Sequence, residues 1–156
     1  MKIRLSALTA AIVALAAALV FATAPPASAR TEINKFGSWG HLNDIGNNTG
    51  WKVSSPMKSS DTIPNYPLMG QLWEARATVK SEQGTVTPII PNLNARADNG
   101  QNYQVLWQAF TPNGISGATL APGGESSGKL YFDVTGASPT TVAYNNGAED
   151  LLLWEK

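Results

Sequence analysis

The chain carries one imidazole, His41, in the run Trp39-Gly40-His41-Leu42-Asn43-Asp44. A histidine oriented by a nearby carboxylate such as Asp44 is the arrangement that serves as a general base and activates a hydroxyl. No spacing ties it to a nucleophile. The residues therefore favour a solvated loop histidine. A second chemistry-bearing group is acidic: Glu149-Asp150, with Asp133 on a preceding strand. Two carboxylates held at a controlled separation across a cleft would hydrolyse a glycoside. Glu149-Asp150 directly follows Asn146-Gly147, however, a turn at which solvated acids are ordinary. Calcium would also use such oxygens, but no D-x-D-x-D-G loop is present. The expected catalytic, cofactor-binding and metal-binding residues are none.

Five tryptophans, Trp39, Trp51, Trp73, Trp107 and Trp154, are the remaining candidates. Trp73 and Trp107 each fall on the apolar face of an alternating run, so both are expected in the core. Trp39 and Trp51 are flanked by glycine and polar residues and are expected to be the more exposed pair. There they could stack on a glycan, with Asp44 as the neighbouring acid. Pro122-Gly123-Gly124 lacks the lysine and threonine of a phosphate loop. Asn47-Asn48-Thr49 is an N-glycosylation sequon, relevant only in a glycosylating host.

Composition removes further classes. With no cysteine among 156 residues there is no disulfide, thiolate metal site, cysteine nucleophile or thioether-linked lipid. Eleven basic and eleven acidic residues balance, which argues against nucleic acid, a partner that demands a basic patch. Residues 1–29 read as a secretory signal peptide. Lys2 and Arg4 make its basic start, an alanine-rich apolar run follows, and Ala27-Ser28-Ala29 supplies the small residues a signal peptidase needs. Cleavage is expected between Ala29 and Arg30. The mature chain, 30–156, then holds nine basic and eleven acidic residues, a net charge of −2, and should fold as a single domain with no later membrane span.

The elements that must position these residues are strands. Trp73, Ala75, Ala77 and Val79 alternate with Glu74, Arg76, Thr78 and Lys80, a period of two that gives a strand one apolar face. Similar alternation marks Tyr103–Phe110 and Lys129–Thr135. Asn99-Gly100 and Asn146-Gly147 predict hairpins joining Leu93–Ala97 to Tyr103–Phe110 and Thr141–Tyr144 to Leu151–Trp154. The turn at 121–124 would pair Ile115–Leu120 with Lys129–Thr135. With Gly50–Ser54, Gln71–Lys80 and Thr85–Ile89 this makes eight or nine strands, as an all-β sandwich or barrel needs. Arg30–Gly50 reads as a polar, turn-rich lead-in with one strand at Glu32–Phe36, and Pro56–Pro67 as a long loop.

Several segments together carry a resemblance. They are Pro67-Leu68-Met69-Gly70-Gln71-Leu72-Trp73-Glu74-Ala75, Leu93-Asn94-Ala95-Arg96 with Asp98-Asn99-Gly100, and Asn102-Tyr103-Gln104-Val105-Leu106-Trp107-Gln108. Ile115-Ser116-Gly117-Ala118-Thr119, Gly128-Lys129-Leu130-Tyr131-Phe132-Asp133-Val134-Thr135-Gly136 and Asn145-Asn146-Gly147 through Leu152 complete the set. In this order they resemble the MPT-sixty-three-like family, small secreted immunogenic antigens of mycobacteria. The likeness runs from Gly50 to Trp154, and Arg30–Asn48 departs from it. It implies an immunoglobulin-like antiparallel β-sandwich, exported to the extracellular space, with no enzymatic activity and no catalytic residues to carry over. The expected function is surface binding or host interaction by a monomer, with a host-cell or cell-wall ligand as partner and neither nucleic acid nor membrane engaged. The alternative is a cell-wall carbohydrate-binding module or a weak carbohydrate-active enzyme.

Overall fold

Alternation is strictest in the longest strand, β5 (Gln71–Gln83), and the molecule is built around it. Its inward residues Ala75, Ala77, Val79 and Ser81 are all buried. The computed structural model describes residues 30–156 apart from Phe110 and Pro112. The expected signal peptide, including Ala29 at the cleavage point, lies outside the described residues.

Two sheets face one another. The first runs β1 (Glu32–Lys35), β10 (Asp150–Glu155), β9 (Thr141–Asn145), β6 (Leu93–Arg96) and β7 (Asn102–Gln104). In the second, β2 (Trp39–Asp44) pairs with β3 (Asn47–Val53), which pairs with β5. The short β4 (Met57–Lys58) continues along that side of β5, and β8 (Glu125–Val134) pairs with its other side over ten residues, Gln71 to Lys80. Pairing is antiparallel except for β1 beside β10, which is parallel. This is the immunoglobulin-like sandwich expected. Its core is set by Trp51, Leu93, Phe132, Leu152 and Trp154, each at most 1% exposed. Burying a large apolar side chain is worth about 1.5–3 kcal/mol, and a chain without cysteine has no covalent cross-link to share that task.

Both expected hairpins form, β6–β7 and β9–β10. Only the glycines are left-handed, with φ of 86° at Gly100 and 97° at Gly147. The preceding asparagines act through their side chains instead: Asn99 Oδ1 accepts from the Gln101 N–H, and Asn146 Oδ1 from those of Ala148 and Glu149.

Four expectations are corrected. Arg30–Gly50 is not a loose lead-in, since β2 and the start of β3 make a six-pair hairpin there. Thr85–Ile89 and Ile115–Leu120 are not strands; a single bridge, Val86 to Leu120, joins them. The strand foreseen at Tyr103–Phe110 ends at Gln104. The Pro56–Pro67 loop contains β4 and is fastened to the outer face of β5 and β8, where Ile63 packs with Leu72 and Tyr131 in a small second core.

Candidate functional site

A cleft of about 610 Å³ opens between the two sheets. Leu42 of β2 with Thr49 and Trp51 of β3 form one wall, Tyr144 of β9 and Leu151 of β10 the other, and the Thr85–Ile89 segment the third. Its floor is aromatic because β3 and β9 both turn large side chains inward. The Trp51 and Tyr144 rings lie 5.9 Å apart, tilted by 45°. Burial pushes the Tyr144 hydroxyl up from the usual tyrosine range, against a hydrogen bond with Asn92 that lowers it. Around this floor stand Asn43, Asn47, Asn92, Asn146 and Thr85, with Arg30, Glu32, His41 and Asp44 at the rim.

His41 stands at the edge of this cleft, paired with two glutamates rather than with Asp44. Its Nδ1 lies 3.8 Å from Glu32 and its Nε2 3.5 Å from Glu82. Local backbone explains both. Glu82 is the extra residue of a bulge, where Asn48 pairs with Gln83 but Thr49 with Ser81, and a bulge re-aims a side chain. It reaches His41 across Gly50, where a Cβ would come within 3.1 Å of the Glu82 carboxylate. From the opposite sheet, Glu32 also accepts the His41 backbone N–H at 3.1 Å. Asp44 instead accepts the Ile45 N–H. No hydroxyl is hydrogen-bonded to His41 among the described residues.

The three acids offered as a hydrolytic group are not brought together. Asp133, on β8, accepts the Met69 and Gly70 N–H groups, both at 2.8 Å. Asp150, on β10 in the other sheet, is not a solvated turn acid. It forms a two-pronged pair with Arg96 at 2.6 and 2.7 Å and accepts from Asn145, and the guanidinium holds its carboxyl below the usual range. Glu149 lies in the turn just before β10, without a partner shared with either. Among the described residues no cluster of histidine and acids could hold a metal.

The tryptophans exchange roles. Trp51, expected exposed, is 1% exposed, whereas Trp107, expected in the core, is 49% exposed. Beyond Gln104 the chain leaves the ladder: the Leu106 N–H crosses to Tyr131, and the Trp107 N–H donates back to the Val105 carbonyl at 2.9 Å. That tight turn breaks the period and points Trp107 outward. Trp73 is partly buried against the core as expected. Trp39 is half-buried, and the Lys52 ammonium lies 4.9 Å from the centre of its ring, so that face is covered. Neither Trp39 nor Trp51 presents a bare stacking platform.

One polar cluster had no sequence signal. Lys129 Nζ donates to Asp61 at 2.7 Å and to Glu74 at 2.9 Å. Tyr131 OH donates to Asp61, and Ser59 to Glu74. The Lys129 hydrogen bond is the main reason that the Asp61 carboxyl is held at about 2, and that bond, with the one to Glu74, raises Lys129 to about 12. A lysine whose protonated form is favoured by hydrogen bonds to two carboxyl groups is no base. The cluster ties the Pro56–Pro67 loop to β5 and β8.

A family model described as a domain of unknown function, DUF1942, matches residues 31–154. The immunogenic proteins MPB63 of Mycobacterium bovis and MPT63 of Mycobacterium tuberculosis are each 51% identical over 147 residues, covering 93% of this chain and 92% of theirs. The chain belongs to the DUF1942 family. The crystal structure of MPT63, described as a secreted protein, superposes on 83% of this chain and all of its own with a TM-score of 0.80 at 53% identity. An uncharacterized β-sandwich protein of Clostridium difficile shares the fold alone, with a TM-score of 0.51 at 10% identity over 81% of this chain and 94% of its own. This DUF1942 member is thus a secreted β-sandwich protein similar to the mycobacterial immunogenic proteins, and the residues lining its cleft, Arg30 apart, lie within the span 31–154.

Proposed function

We propose that this secreted sandwich works through its surface, as a monomeric binding module for a host-cell or cell-wall ligand, and that it performs no catalysis. The observation that carries the reading is the cleft between the sheets. It combines an apolar floor with a few converging polar groups, the composition of a small-ligand site, and its 610 Å³ falls inside the range of about 300–1,000 Å³ usual for one. Against chemistry stand the partners of the reactive groups. His41 faces two carboxylates and no hydroxyl, Asp133 and Asp150 are engaged in different sheets, and Lys129 is locked in an ion-pair cluster.

The test is retention of the purified mature protein on host-cell and cell-wall fractions, beside a Thr85→Trp variant. Thr85 is exposed and lines the cleft, so an indole there fills the space without entering the core. Retention of the parent protein, reduced at least about tenfold in the variant, is expected; a tenfold loss corresponds to about 1.4 kcal/mol. Equal retention of both proteins would move the binding surface elsewhere, and no retention on either fraction would end the binding reading.

A further inference from the structure

We infer that the cleft between the sheets takes an uncharged saccharide, an inference that rests on the binding role proposed above. The argument begins with which of its polar groups are free. Asn43, Asn47, Thr49 and Thr85 line the cleft, and none forms a side-chain hydrogen bond with another described residue. Thr49 is informative because it is only 9% exposed. No buried side-chain oxygen or nitrogen is orphaned among the described residues, so the Thr49 hydroxyl opens into the cleft. These groups are neutral amides and hydroxyls, which donate and accept alike. A ligand that supplies hydroxyls exchanges their water for direct hydrogen bonds, and one that does not leaves them unpaired.

The charged groups argue the same way. Glu32 accepts the His41 N–H and Asp44 the Ile45 N–H, so neither carboxylate is left bare for a cation. The two acids also outnumber Arg30, which disfavours an anion. An extended peptide would need the outer edge of β2, yet the His41 N–H on that edge is capped by Glu32. The apolar remainder, Leu42, Val86, Pro88 and Leu151, suits the C–H faces of sugar rings. Trp51 and Tyr144 lie beneath that layer, so recognition rests on amides and aliphatic contact rather than on a stacked indole.

The experiment titrates the mature protein calorimetrically with neutral gluco-, manno- and galacto-oligosaccharides. It also repeats the retention assay on host-cell and cell-wall fractions before and after periodate, which cleaves vicinal diols. Two variants accompany it: Thr85→Trp, and the pair Asn43→Ala with Asn47→Ala, the first exposed and the second half-buried, neither a residue of the core. The expected result is a saturable heat with at least one oligosaccharide and retention abolished by periodate. Weakening of about tenfold is expected in the paired variant, the size of two lost hydrogen bonds. Periodate sensitivity on one fraction alone identifies the wall or the host cell as the source. Retention that survives periodate but falls in Thr85→Trp overturns the saccharide and leaves the binding role standing. Periodate-sensitive retention that both variants keep overturns the cleft as its site. No retention and no heat overturns both.

Discussion

Asp61 Oδ2 accepts three hydrogen bonds, from Lys129, Tyr131 and Asn113, and that crowding sets how stability responds to acid. Hydrogen bonding to Lys129 is the largest cause of the fall from 3.8 to about 2, followed by that to Tyr131. A carboxylate whose folded-state value is depressed contributes fully above its unfolded value, and the contribution disappears as pH falls through the folded one. For Asp61 the window runs from about 4 down to about 2. Asp61→Asn is therefore expected to be less stable than the parent at pH 5, with the gap closing as pH falls to 2. The measurement is the urea midpoint of both proteins across that range, and a gap that stays constant would show that the cluster is not linked to folding through Asp61. Nothing in the sequence pointed to this residue, because its partners are 68 and 70 positions away on β8. Acids adjacent in sequence, Glu149-Asp150, drew the eye instead.

At the scale of the strand, backbone packing decides which substitutions the sandwich tolerates. Gly70 sits where the chain enters β5, pressed against the end of β8. A Cβ there would lie 2.1 Å from the Val134 carbonyl oxygen, and neither backbone has a rotamer to yield. Gly147, at the tip of β9–β10, has nothing within 4 Å of that position but a φ of 97°. Gly70→Ala is expected to destabilise by about 1–3 kcal/mol through overpacking, and Gly147→Ala by about 1 kcal/mol through left-handed strain alone. Denaturant melts of the two variants check this, and equal costs would mean that the entrance to β5 gives way. The same packing explains what was legible. β5 and the end of β8 alternate because one face of each meets the core, and β6, β9 and β10 were marked by the Asn-Gly turns of their hairpins. β2 was missed because its most buried inward position is Gly40, small so that Asn34, Leu152 and Trp154 can close over it; in sequence such a glycine reads as a turn. Thr85–Ile89 carried the alternation of a strand, but Pro88 offers no N–H to a ladder. Trp107 was misplaced because a period of two foretells burial only while the strand lasts, and Trp51 because its glycine and polar neighbours hid the strand β3 that turns it inward.

Across the whole molecule the hydrogen-bond ladders are uneven, and the cleft lies where they thin out. β5 is paired on both sides, by β3 and β4 and by β8, and β9 lies between β6 and β10. The third wall of the cleft is different. Thr85–Ile89 is joined to the Ile115–Leu120 segment by two backbone bonds between Val86 and Leu120, of 3.0 and 2.7 Å, and by the Thr87 and Thr119 hydroxyls at 2.8 Å. Local opening follows such differences, ranging from nearly free at weakly held segments to the full unfolding energy at central strands. The Val86 and Leu120 amides are therefore expected to exchange with deuterium well before those of Val79 and Leu130, and as a pair, since each bond closes the other. A saccharide in the cleft would contact this wall and slow that pair while leaving Val79 and Leu130 unchanged. Exchange of all four amides at one rate would make the wall part of the global folding unit, and the cleft would then be a rigid, preformed site whose affinity owes nothing to ordering of its rim.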